Sequence, residues 1–205
     1  MTSSISLRER TRQAVTAQLT EVAMTLFTQQ GYDETTIEEV AQAAGLSKRS
    51  FFRYFASKED VVLHNQEAIG KELADALAAR PVTESPWQSL RRAFDLITDR
   101  MDAEPERSII RLRMMNETRS LMGSYTARRA QWRDLLVPHL LPHLDPQGRD
   151  ENDLRAIAIA GSALACYEAV QQMWLTLEGS VPMSTLLDEA MSAVIPLDSS
   201  ETENR

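Results

Sequence analysis

The stretch from Thr35 to Phe55, TTIEEVAQAAGLSKRSFFRYF, constrains this chain more than any other. Thr36 is followed three residues later by Glu39. That is the spacing of a capping box, in which each side chain accepts a hydrogen bond from the other residue's backbone N–H. It places a helix start at Ile37. Ile37, Val40, Ala41 and Ala44 recur at steps of three and four and give that helix one apolar face. Gly45 ends it. Ser47 then offers a side-chain oxygen as the cap of a second helix, which opens on Lys48 and turns Phe51 and Phe55 inward at i, i+4. Two short helices joined by a glycine-containing turn make a helix-turn-helix.

The flanking sequence continues in the same period. From Arg8 to Gln30, Val15, Leu19, Val22, Ala23, Leu26 and Phe27 mark one helical face, and Gly31 provides the positive φ of a C-terminal cap. Ser57 caps a helix predicted from Lys58 to about Ala79. Ser85 caps another with Pro86 at its first position. Trp87, Leu90, Phe94, Ile97 and Met101 repeat at three and four, so that face is apolar. Breaks are expected near Glu104 and Pro105, at Gly123, and at Pro138 and Pro142. A long helix follows from about Asp153 to Leu177, and a last one from Thr185 to Val194. The expected fold is all-α, about nine helices. Residues 1–57 form a DNA-binding domain and 58–197 a ligand-binding and dimerisation domain. Residues 198–205 form a disordered tail.

Composition narrows the classes. Cys166 is the single cysteine, so no internal disulfide forms and a reducing, cytoplasmic setting is expected. The N-terminus is polar and does not read as a signal peptide. Ala156 to Leu177 is long enough to span a bilayer, but Glu168, Gln171 and Gln172 lie inside it, so it reads as a buried helix and no membrane partner is expected. Phosphate-loop, dinucleotide-binding and serine-hydrolase motifs are missing, and Cys166 lies in an apolar run. His139 and His143 are four apart, but Pro138 and Pro142 disturb that helix and no further ligand is suitably spaced. No catalytic residue, metal or cofactor is expected.

The net charge is −8, which opposes nucleic acid as a partner, but the distribution matters more. Residues 47–58 carry four basic side chains and no acidic one. Lys48 and Arg49 open the second helix of the motif, where a side chain can donate to guanine O6 and N7. Ser50 and Arg53 lie further along it. Thr36 and Ser47 sit at helix N-termini, whose free N–H groups attract phosphate. Tyr54 offers a hydroxyl and Lys58 a point charge. Arg8, Arg10 and Arg12 read as a flexible basic arm. The same glycine turn also occurs as plain scaffold. On that alternative the protein is a helical ligand-binding or catalytic protein with a non-functional helix-turn-helix.

The stretch from Ala23 to Lys58 resembles the N-terminal domain of TetR-family regulators. Phe27, Gly31, Thr36, Val40, Ala41, Ala44, Gly45, Ser47, Phe51, Phe52, Tyr54, Phe55 and Lys58 carry the resemblance. It implies phosphate contacts from Thr36, Ser47, Tyr54 and Lys58, and groove contacts from Lys48, Arg49, Ser50 and Arg53. Phe52 departs from the tyrosine that relatives often place there, which leaves apolar contact, such as with a thymine methyl. The resemblance also implies a repressor whose C-terminal ligand shifts the fourth helix.

The helix from Asp153 to Leu177 is apolar on more than one side, so it is expected to be buried on more than one side, partly by a second protomer. With the last helix, about 185–195, it would form a homodimer interface. Such a pair suits a palindromic operator in double-stranded DNA. A central core helix in a monomer is the other reading. Phe94, Met101, Met114, Tyr125, Trp132, Tyr167 and Trp174 are candidate walls for a small apolar effector, with plain core as the alternative.

Overall fold

The computed structural model describes residues 6–144 and 153–196. The expected tail at 198–205 and most of the loop before Asp153 lie outside the described residues. Among the described residues there are eleven helical segments and no strand. They are α1 (Leu7–Gln30), α2 (Ile37–Ala43), α3 (Lys48–Phe51), α4 (Lys58–Leu63), α5 (Asn65–Ala78) and α6 (Pro86–Ala93). Then follow α7 (Asp95–Ala103), α8 (Pro105–Glu117), α9 (Arg119–Leu144), α10 (Leu154–Thr176) and α11 (Met183–Val194).

Two of the junctions are single residues that keep helical dihedrals: His64 between α4 and α5 (φ −59°, ψ −31°) and Phe94 between α6 and α7 (φ −67°, ψ −17°). Counting each broken pair once leaves nine rods, as the periodicity predicts. The expected continuous helix from Lys58 to Ala79 is therefore interrupted at His64, where imidazole Nδ1 lies 3.0 Å from the Val61 carbonyl oxygen, beside the helix's own ladder.

Other boundaries differ from expectation at proline and glycine. α9 runs through Gly123, Pro138 and Pro142. Proline removes one N–H and crowds the preceding turn, yet Leu136, Val137, Leu140 and Leu141 are all buried, so packing holds the helix past both rings. The Arg8, Arg10 and Arg12 arm is helical, the first turns of α1. Thr11 there bonds back to the Leu7 carbonyl at 2.9 Å. The sequence from Leu7 is rich in Arg, Glu and Gln, which are good helix formers.

The chain divides into two compact units. The first comprises Met1–Asn65 and Met114–Ser124, the second Gln66–Arg113 and Tyr125–Arg205. In the first, α1 packs on α2 and α4, and α2 on α3. Leu19, Ala23, Phe27, Val40, Ala41, Phe51, Phe55 and Val61 are buried there, as are Met114, Met115 and Leu121 of the returning segment. Gly31 (φ +94°) closes α1 and Gly45 (φ +70°) closes α2, each in the left-handed region that the turn requires.

In the second unit, α10 packs on α6 and α11, and α11 also on α7. Trp87 Nε1 donates to the Met191 and Ile195 carbonyls, each at 3.1 Å. Asp102 caps α11 by accepting from the Met183 N–H at 2.7 Å. α10 turns Ala156, Ala160, Ala163, Tyr167, Val170 and Trp174 inward. Its opposite side, Leu154, Ala158, Ala165, Glu168, Ala169, Gln172 and Thr176, is exposed within the chain.

Candidate nucleic-acid interface

The helix-turn-helix is fixed by side-chain caps rather than by helix length. At α2 the Glu39 backbone N–H donates to Thr36 Oγ1 at 3.2 Å, and the Thr36 backbone N–H donates to Glu39 Oε2 at 2.8 Å, completing the capping box. The Thr36 hydroxyl donates to the same Glu39 oxygen at 2.8 Å. These bonds from Thr36 hold the Glu39 carboxyl below the usual carboxylate range. At α3 the Ser50 N–H donates to Ser47 Oγ at 3.1 Å, and the two serine hydroxyls lie 3.0 Å apart.

α3 itself is a single turn, Lys48–Phe51, where the sequence suggested a helix to Phe55. The rod continues in a tighter form. Arg53 N donates to Ser50 O (3.1 Å), Tyr54 N to Phe51 O (2.9 Å) and Phe55 N to Phe51 O (3.1 Å). Beneath it Phe51 and Phe55 pack with centroids 5.7 Å apart, and both are buried. Burial of a phenylalanine side chain contributes about 1.5–3 kcal/mol. With those two rings inside, Lys48, Arg49, Phe52 and Arg53 face solvent, and Ser50 and Tyr54 are half-buried. Phe52 keeps 47% of its surface exposed while its ring meets Phe51 edge-on at 5.6 Å.

The predicted contact residues differ in what already engages them. Lys48 is ion-paired to Glu38 of α2, and that ammonium holds the Glu38 carboxyl below its ordinary range. Lys58 Nζ donates to the carbonyls of Tyr32 (2.7 Å), Thr35 (3.1 Å) and Asp33 (3.4 Å), and lies 4.2 Å from the Tyr32 ring centroid. It ties the 31–36 loop to the start of α4, so a phosphate would meet this ammonium in competition with three carbonyls. Sequence reasoning missed both engagements, because each joins residues ten or more apart that no periodicity links. It also missed Tyr32, whose buried hydroxyl lies beside Glu59 and Ser120. Burial, with Glu59 nearby, pushes that phenol well above its usual range.

Of the candidate ligand residues, six fall in the second unit and Met114 in the first. Phe94 stacks on Tyr167 (5.2 Å, 29°) and Tyr167 on Trp132 (6.5 Å, 25°), while the Tyr167 hydroxyl donates to Met101 Sδ at 3.4 Å. Tyr125 exchanges hydrogen bonds with the Gln171 amide at 2.8 and 3.0 Å. Trp174 stands apart from this row and donates to the Val181 carbonyl at 2.9 Å. One neighbour went unnoticed in the sequence. Gln66, whose backbone carbonyl accepts from Trp132 Nε1 at 2.8 Å, is buried with its side-chain oxygen unpartnered. His139 and His143 do share a helix, since α9 is unbroken there, but His143 Nδ1 lies 3.1 Å from the Glu84 carbonyl. Cys166 is buried, which pushes its thiol up. Among the described residues no helix is long and apolar enough to cross a membrane.

A compact helical unit in which α2 and α3 are joined by the Gly45 turn, with cations and an aromatic ring on the outer side of a capped α3, has the form of the helix-turn-helix of transcription regulators. The chain belongs to the TetR family of bacterial regulatory proteins. The model of that family's N-terminal domain matches residues 19–64, and the MftR C-terminal domain matches residues 84–197. The HTH-type transcriptional regulator TcmR of Streptomyces glaucescens is 37% identical over 128 residues, which cover 60% of this chain and 57% of TcmR. The chain thus spans under two thirds of that relative's length. The putative mycofactocin biosynthesis transcriptional regulator MftR of Mycobacterium tuberculosis is 25% identical over 90% of this chain and 91% of its own. The fold matches Thermus thermophilus FadR, a TetR-family repressor solved with lauroyl-CoA (TM-score 0.60, 21% identity, covering 93% of this chain and 98% of that one). It also matches a SmeT–triclosan complex (TM-score 0.64, 17% identity, covering 88% and 91%).

Proposed function

We propose that this regulator is a cytoplasmic, non-catalytic homodimeric repressor. It reads a palindromic operator with two copies of α3 and is released by a small apolar ligand. The observation that carries the reading is the solvent-facing set Lys48, Arg49, Phe52 and Arg53 above the buried Phe51 and Phe55. Buried rings fix the rod, and the remaining side chains are left to meet a major groove.

Arg49 is assigned the central base contact, as a fork matched to guanine O6 and N7. Lys48, Ser50 and Arg53 flank it, and Phe52 suits a thymine methyl. Thr36, Ser47 and Tyr54 are assigned to phosphates, with Lys58 a weaker partner because carbonyls already hold its ammonium. Residues 1–57 read DNA and 58–197 sense ligand and dimerise. The exposed side of α10, where Leu154, Ala158, Ala165 and Ala169 stand with Glu168 and Gln172, supports the dimer with α11, since its small residues allow a close approach. Phe94, Met101, Tyr125, Trp132, Tyr167 and Trp174, all of the second unit, are the proposed ligand contacts. Structures of the same fold hold lauroyl-CoA and triclosan, which favours a ligand with a large apolar part.

Selection of bound sequences from random duplexes tests this. The expected product is a palindrome with half-sites about one helical turn apart, roughly 34–36 Å. Arg49→Ala is expected to weaken binding to it by about 1–3 kcal/mol, roughly 5- to 150-fold. Enrichment of no sequence, or a palindrome indifferent to Arg49→Ala, would sink the reading.

A further inference from the structure

The surface that faces DNA on this reading carries acids as well as cations. Glu38 is the second residue of α2, and its carboxylate accepts from the Lys48 ammonium across the Gly45 turn. Neither group is buried: their side chains are 57% and 53% exposed. The pair therefore stands in solvent beside the N-terminus of α3. The hydrogen bond from Lys48 holds the Glu38 carboxyl below its ordinary range. Thr36 shows the same pattern one step earlier. Its hydroxyl and its backbone N–H both go to Glu39. Two of the groups offered to phosphate at the starts of α2 and α3 are thus engaged by carboxylates of this chain.

We propose that Glu38 is a positioning residue that competes with DNA phosphate for Lys48 and so limits how tightly the helix-turn-helix holds DNA. The proposal rests on α3 being the DNA-reading helix. A lysine is a compact point charge that one anion satisfies at a time. To reach DNA, Lys48 must leave Glu38 and expose a bare carboxylate to a polyanion. Glu38→Gln removes that charge and keeps the shape. An exposed ion pair shifts an equilibrium by up to roughly fivefold. The neutral variant therefore holds a mixed-sequence duplex about two- to fivefold more tightly. Each phosphate that Lys48 newly neutralises also steepens the slope of log affinity against log salt by about 0.9.

The test uses the full-length protein, its E38Q variant, and each again with Lys48→Met, titrated onto a mixed-sequence duplex across a salt series. Position 38 is exposed, and matching far-ultraviolet circular dichroism confirms equal folding. The expected result is tighter, more salt-sensitive binding by E38Q, with the gain largely lost when Lys48→Met is present. Unchanged affinity and slope would overturn the proposal. So would an equal gain in both backgrounds, because Glu38 would then act by plain repulsion without Lys48. If the unmodified protein binds no duplex even at low salt, the reading of α3 itself falls, an outcome separate from the other two.

Discussion

α3 is four residues long and α10 twenty-three, and different forces hold them. A helix below about twelve residues is marginal alone. α3 survives on the Ser47 cap, the tightened turn after it and two phenylalanines. α10 has no strong side-chain pattern at its ends beyond Asp153, whose oxygen accepts from the Arg155 N–H at 2.8 Å. Its inward residues hold it, and its outward residues find no cover within the chain. The contrast separates two ways of placing a helix. The short element is shaped locally, so its outer side chains, Lys48 with its Glu38 partner among them, are not needed for its own core. The long element is shaped by the helices it packs on, and the side it leaves exposed is the one proposed to meet a second protomer.

The contrast can be broken first at Phe51. Phe51→Ala empties the core under α3, and large-to-small changes of this kind cost about 3–5 kcal/mol. All three tryptophans lie in the second unit, so their fluorescence reports that unit while circular dichroism reports both. Urea unfolding of the variant is expected to lose helical signal before tryptophan emission changes. Coincident transitions at an unshifted midpoint would mean that α3 does not depend on its own ring pair.

A smaller effect is expected on the outward side of α10. Ala165→Arg places a charge at an exposed small residue of the proposed interface, and an unpaired charge within an interface costs on the order of 2–5 kcal/mol of association. On the proposed dimer, sedimentation should show the mass fall by half relative to the unmodified protein. An unchanged mass would remove this face from the interface. The smallest change sharpens the local half of the comparison. Ser47→Ala removes the α3 cap and should lower stability by about 1 kcal/mol, whereas Ser47→Gly should cost only a few tenths. Equal losses in thermal melts would show that the cap is not what holds α3.

Local chemistry was legible in the sequence. Thr36, Ser47, Ser57 and Ser85 each cap the helix that follows, and Gly31 and Gly45 take positive φ. These signals depend on a few consecutive residues, so no tertiary knowledge is needed. The motif that marks the family lies in the same stretch. What escaped is what distant residues decide. α9 passes through Pro138 and Pro142 because buried leucines on both sides hold it. The break at His64 arises where a ring nitrogen approaches the Val61 carbonyl. For the interface, the exposed positions on α3 followed from its period, but the pairing of Lys48 with Glu38 did not. Nor did the clamp that Lys58 places on the 31–36 loop.

The first unit takes its core from two separate stretches of chain, since Met114, Met115 and Leu121 belong to it although the helix-turn-helix ends at Phe55. Recombination that swaps reading heads between relatives at a single crossover would therefore deliver an incomplete body. A viable chimera must transplant the inner insert together with the leading segment. Natural variation in these two stretches should accordingly be correlated, so that a changed residue in one is answered by a change in the other.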